Sequence, residues 1–165
     1  STWNMKRGIK TRALRRPDSP QLAKESAALG QVVVQEFIPN LTNDWKVLAF
    51  GSRFYCLNRR VRKNDFRASG SGKFSFDDPP RRVLDLARDV RATLQTPFVS
   101  VDIAESERGP LVLEFQAVHF GPTTVMYAPA YYYESGDGWT RVEGQTQLEI
   151  EVARSIAEHI QQAFA

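Results

Sequence analysis

Two runs of strand-forming residues, Trp45–Phe50 and Arg53–Arg60, flank Gly51-Ser52, and this spacing constrains the chain more than any other feature. A two-residue connection containing glycine joins antiparallel neighbours, so the two runs are expected to form a hairpin. A second pair, Phe98–Ile103 and Leu111–Gln116, is joined across Glu107-Arg108-Gly109-Pro110. Between the pairs, Val83, Leu84, Leu86, Ala87, Val90 and Leu94 fall mostly on one side of a helical period, after Asp77-Asp78-Pro79-Pro80 and before Pro97. Leu148, Val152, Ile156 and Ile160 mark a C-terminal helix in the same way.

Upstream, Asp18-Ser19-Pro20-Gln21 offers a capped start for a helix through Leu29 that Gly30 would close. The β-branched run Gln31–Ile38 predicts a buried strand ending at the Pro39-Asn40 turn. Residues 68–73 have no hydrophobic period and read as a glycine-rich loop, and Tyr131-Tyr132-Tyr133 fits either a short strand or a packed loop. The sum is an α+β pattern, a mostly antiparallel sheet with two to three flanking helices.

With 165 residues, 42% hydrophobic and 25% charged, the chain is expected to form a single domain over residues 1–165. No apolar run approaches bilayer length and the N-terminal stretch lacks the apolar centre of a secretion signal, so a cytoplasmic protein with no membrane partner is expected. Cys56 is the only cysteine. It excludes an internal disulfide and reads as a buried thiol. With two histidines beside it, a zinc site has little support. His119 follows the second hairpin, where it could touch substrate or simply bond within a loop, and His159 is expected on the solvated side of the last helix.

The net charge of +3 matters less than its distribution. Lys6, Arg7, Lys10, Arg12, Arg15 and Arg16 form one basic cluster and Arg59, Arg60, Arg62, Lys63 and Arg67 a second. The second leads into Ala68-Ser69-Gly70-Ser71-Gly72, and arginine forks with exposed backbone N–H groups suit phosphate oxygens. A basic surface strand leading to a loop fits equally well. Nucleic-acid binding, with Phe54, Tyr55 and Phe66 stacking on bases, is the weaker reading. Lys46 reads as a phosphate contact or as a solvated lysine on an edge strand.

Asp102 on one strand and Glu114 and Gln116 on the next bring oxygen donors together, because alternate residues of a strand share a face. Two carboxylates and an amide oxygen suit Mg²⁺, which is completed by water and substrate phosphates. The plainer alternative is a hairpin whose polar face meets solvent. Gln35-Glu36, at the end of an apolar run, lies either at an exposed strand end or against a ligand.

Taken in order, Val33–Ile38, Asp44-Trp45-Lys46, Arg59-Arg60, Asn64–Gly72, Val101-Asp102-Ile103 and Leu113–Gln116 resemble the ATP-grasp superfamily of carboxylate–amine ligases. The resemblance is to the branch with the ribosomal-protein glutamate ligases and glutathione-synthetase-like enzymes, and it covers roughly residues 31–122. It implies ATP and Mg²⁺, with Mn²⁺ as a substitute, as cofactors. Gln35, Glu36, Phe37 and Ile38 would contact adenine. Lys46 and Arg60 would contact phosphate or substrate, and Asp102, Glu114 and Gln116 would ligate the metal. Arg67 would act catalytically, steadying the transferred phosphoryl and the acyl phosphate. The implied reaction joins a carboxylate and an amine, both of unknown identity, and nucleic acid is not an expected partner.

Two departures qualify the match. The family's last metal ligand is commonly Asn, and Gln116 carries one more methylene. Complete ligases also have upstream subdomains with a phosphate-binding lysine, for which Lys6 and Lys10 are the candidates, so the chain is expected to be the C-terminal portion of a longer fold. The alternatives are a truncated or degenerate ATP-binding module without turnover and a nucleic-acid-binding domain.

Overall fold

The computed structural model describes residues 35–62, 68, 70–118 and 120–164. The chain divides into two compact units, Ser1–Phe37 and Ile38–Ala165. In the first, Gln35, Glu36 and Phe37 are exposed and without regular secondary structure. The helix expected over 19–29 and most of the strand expected over 31–38 lie outside the described residues.

The second unit is built on one antiparallel sheet. Its first hairpin pairs β1 (Asn43–Phe50) with β2 (Arg53–Arg60) across Gly51-Ser52, with Phe50 opposite Arg53 and Asp44 opposite Arg59. The short β3 (Phe74–Ser75) pairs with the far end of β2. Helix α1 (Arg81–Leu94) then crosses the sheet to β4 (Phe98–Ser106), which pairs with β1 on its other side and forms a hairpin with β5 (Gly109–Gln116). Next, α2 (Thr123–Tyr127) leads back to β6 (Ala130–Ser135) beside β2, β7 (Gly138–Glu143) follows by a hairpin, and α3 (Leu148–Ala163) closes the chain. The strand order is β5-β4-β1-β2-β6-β7. The α+β pattern read from the sequence is therefore the architecture, and Tyr131–Tyr133 form a strand.

Alternation divides the side chains of β1 and β4 between two cores. Trp45, Val47, Ala49, Val99, Val101 and Ile103 face α1, whose Val83, Leu84 and Ala87 are buried against them. Leu48, Phe50 and Tyr55 face the other way, toward Val125, Ala128, Leu148 and Val152. Fully burying a side chain the size of Leu84 contributes roughly 2 kcal/mol. Pro80 starts α1 with its φ preset near the helical value, and Gln95, in the left-handed conformation, stops it. The side chains of Tyr132 and Trp139 donate to Asp78 and Asp85, at 2.6 and 2.9 Å, tying β6 to the segment that leads into α1 and β7 to α1 itself.

Helix α3 departs from its apolar reading. Leu148 and Val152 pack inward, but Ile156 and Ile160 are exposed, and the fully buried positions are Glu151 and Ser155. The reason is a polar anchor. Glu151 accepts from Arg53 at 2.9 Å and from Arg154 at 2.7 Å, and Arg154 also donates to the Phe50 carbonyl at 2.6 Å. This brings the helix hard against the β1–β2 turn. A β-carbon at Gly51 (φ +56°) would run into the Glu158 side chain and meet the Ser155 Cα at 3.4 Å, so glycine is required there for both conformation and space.

Candidate functional site

The face of the sheet that carries Leu48 and Phe50 becomes polar toward the start of β1. Asp44 and Lys46 lie on this face, with Arg59 directly across from Asp44 on β2 and Asp102 directly across from Lys46 on β4. Asp102 is in turn opposite Glu114, and Ser100 opposite Gln116. Asp102, Glu114 and Gln116 thus share one face, as alternation leads one to expect, with two cations beside them.

A β-bulge makes this possible. The register shifts between Asp102 and Ile103, so that Ile103 pairs with Val112 while Asp102 pairs with Glu114. In a regular strand Val112 and Glu114 would share a face. With Leu113 as the extra residue, Val112 packs on the α1 core and Glu114 is exposed on the polar face.

The charges are closely paired. Arg59 donates to both oxygens of Asp44, at 2.7 and 2.9 Å, and to Oδ2 of Asp102 at 2.8 Å. Lys46 donates to Oδ1 of Asp102 at 3.3 Å, and its side chain is only 16% exposed. Burial raises the Asp44 carboxyl, and the hydrogen bond and charge of Arg59 offset only part of that rise. Burial alone would lower the Arg59 guanidinium. Its bonds to Asp44 and the charge of Asp102 outweigh this and raise it, so it stays protonated. Glu114 and Gln116 are exposed, and the Gln116 amide N–H donates to Glu114. The solvent-facing hairpin face weighed as the plainer reading describes these two residues, but not Asp102 or Lys46.

Next to this cluster is an open depression of about 370 Å³, walled by Lys46, Arg59, the Gly70–Phe74 loop, Gly121 and Thr124. Thr124 is fully buried, and its hydroxyl has no hydrogen-bond partner among the described residues. Lys46, Arg59 and Lys73, with the glycine loop between them, suit an anionic group.

The donor set fits a hard divalent cation only as an incomplete shell. Each Asp102 oxygen already accepts one hydrogen bond, which leaves carboxylate lone pairs free, and Glu114 and the Gln116 amide oxygen are accessible. Among the described residues no three His, Cys, Asp or Glu side chains form a metal-binding group. A cation here would therefore draw its remaining ligands from water and phosphate oxygens.

The other expected site residues fall elsewhere. Arg60 lies opposite Asn43, on the other face of β2 from Arg59, at the exposed end of the strand. Lys46 is on an interior strand, which rules out its reading as an edge lysine. Arg67, His119, Lys6 and Lys10 lie outside the described residues. Ile38 is half-buried and has no regular secondary structure. His159 is half-buried rather than fully solvated and lines a cleft beside α1. Phe54 and Tyr55 are buried at 3% and 0% exposure, so two of the three aromatics weighed for base stacking belong to the core. No helix among the described residues is long and apolar enough to cross a membrane. No family model matches the chain, and no curated protein matches it in sequence.

Proposed function

We propose that this chain is part of an ATP-dependent carboxylate–amine ligase of the ATP-grasp type. In this reading, the polar face of β1, β2, β4 and β5 receives the magnesium-bound triphosphate of ATP. One observation carries it. Asp102, Glu114 and Gln116 occupy neighbouring register positions on one face, with Lys46 and Arg59 on the same face beside an open depression.

Phosphoryl transfer needs positioning and charge neutralisation more than a side-chain nucleophile, and this face supplies both kinds of group. When bound, Mg²⁺ would neutralise phosphate oxygens and orient the γ-phosphate for attack by a carboxylate. Lys46 and Arg59 would supply positive charge toward the same oxygens, while Asp44 holds the Arg59 fork in place. Attack would break the bond to the β–γ bridging oxygen and release ADP, and the acyl phosphate so formed would be captured by an amine, with release of phosphate and of the amine proton to solvent. Gln35, Glu36, Phe37 and Ile38 are proposed for adenine, Arg60 for an outlying substrate contact and Arg67 for the transferred phosphoryl, all three from the family resemblance.

Calorimetry with a non-hydrolysable ATP analogue tests the reading. Binding to the unsubstituted chain is expected to strengthen with Mg²⁺, and Glu114→Ala is expected to lose about tenfold or more of that gain. An unchanged magnesium-dependent affinity in Glu114→Ala would remove Glu114 from the ligand set.

A second reading, a nucleotide-binding module without turnover, is favoured by the engagement of both Asp102 oxygens by Lys46 and Arg59. Magnesium-dependent binding without phosphate release, across a panel of carboxylates and amines, would select it.

A further inference from the structure

We infer that a second site, for a small oxyanion such as a phosphate or carboxylate group, lies between the C-terminal ends of α1 and α3, with Arg91 and His159 as its principal donors. The cleft has a volume of about 480 Å³ and is lined by Arg91, Gln95 and Thr96 from one side and His159 and Gln162 from the other. Among the described residues it shares no lining residue with the depression beside Lys46 and Arg59.

Among the described residues, the lining is rich in donors and holds no acid. A guanidinium, an imidazole and two carboxamides converge from α1, its C-cap and α3, and among the described residues no carboxylate lines the cleft. Nε of Arg91 is buried without a hydrogen-bond acceptor among the described residues. Buried polar atoms are almost always satisfied, by protein or by a bound group. A cation in the last turn of α1 complements that helix's terminal carbonyls, which explains the charge of Arg91 but not its buried, unmatched N–H. The acid whose charge acts on Arg91, Glu158, is engaged elsewhere. Glu158 accepts from the backbone N–H and hydroxyl of Ser52, at 3.0 and 3.2 Å, and from Arg154. Burial lowers the Arg91 guanidinium, the charge of Glu158 offsets part of this, and Arg154 adds to it. An anion in the cleft would relieve that cost by pairing with the guanidinium.

Arginine presents a planar fork matched to both phosphate and carboxylate, so the side chains define the oxyanion class and experiment must separate its members. The full chain, labelled with ¹⁵N, is titrated at pH 7 and constant ionic strength with sodium phosphate and separately with sodium acetate. The Arg91 Nε–H and His159 ring signals are followed. Saturable shifts at both residues are expected in at least one titration, phosphate alone pointing to a phosphorylated ligand and acetate to a carboxylate. Arg91→Gln is expected to weaken binding about tenfold, and His159→Gln by a smaller factor. Shifts that never saturate, or that centre on Lys46 and Arg59 instead, would overturn the proposal. Undiminished binding by both variants would do the same. Should Arg91→Gln fold poorly, the location of the shifts in the unsubstituted chain and the response of His159→Gln still decide the matter.

Discussion

Arg59 joins two acids through one guanidinium, bidentate to Asp44 and single to Asp102. Removing one partner of a buried charge pair leaves the other uncompensated, which costs far more than the pair itself contributes. Arg59→Leu is therefore expected to lower stability by about 3 kcal/mol in urea unfolding, with partial recovery when Asp44→Asn is added. A loss below about 1 kcal/mol would mean that the acids are hydrated rather than dependent on Arg59. Glu151 raises a question of pH. Burial alone would raise its carboxyl, but hydrogen bonds and charge from Arg154, with the charge of Arg53, outweigh burial and hold it below the ordinary carboxylate range. With the folded value below the unfolded one, its stabilisation is complete above the unfolded value and drains away as pH falls through the folded value. Asp44, raised by burial, works in the opposite sense. Glu151→Gln is expected to lower stability by about 1–3 kcal/mol at neutral pH. It should also flatten the acid limb of the urea midpoint between about pH 5 and pH 2, with the contribution of Asp44 common to both proteins. Parallel limbs would assign the acid transition to other groups.

At the scale of elements, the β4–β5 turn offers a clean test of backbone strain. Gly109 has φ +107°, and a β-carbon there would meet nothing within 4 Å. Gly109→Val is expected to lower stability by roughly 1–2 kcal/mol through conformation alone, and an unchanged melting temperature would show that the turn relaxes freely. The elements also show what the sequence could and could not disclose. Once Gly51-Ser52 is taken as the turn, pairing Phe50 with Arg53 fixes the whole hairpin and sets Arg59 across from Asp44 and Arg60 across from Asn43. The choice of Arg59 over Arg60 for the polar face was therefore available from turn length and alternation. The placement of Asp102 across from Lys46 was not, because α1 separates β1 from β4 and no local rule sets that register. The bulge at Leu113 was likewise hidden, since Leu111–Gln116 contains neither Gly nor Pro to signal one. In α3 the spacing of Leu148, Val152, Ile156 and Ile160 suggests an apolar stripe throughout, but the packing of the helix is governed by Glu151, Arg154 and Ser155 against the β1–β2 turn, which leaves Ile156 and Ile160 exposed. Periodicity cannot see a partner that distant in sequence.

At the scale of the molecule, Cys56 reports on the core as a whole. It is 4% exposed on β2, and burial pushes its thiol up. Only opening of the sheet would expose it, so its reaction with a thiol reagent at pH 8 is expected to be at least about 100-fold slower than in urea-unfolded chain. A rate close to the unfolded one would mean that the sheet opens locally around β2. The polar cluster belongs to the same framework. Lys46, Arg59 and Asp102 sit on strands paired on both sides, whereas the Gly70–Lys73 segment and Gly121 lie on connections that border the depression from outside the ladder. Lengthening or rewriting those connections would leave the three charges where they are. The chain thereby separates a fixed electrostatic anchor from a rim carried on connections, so that altering the rim would change what the anchor can accommodate without rebuilding it.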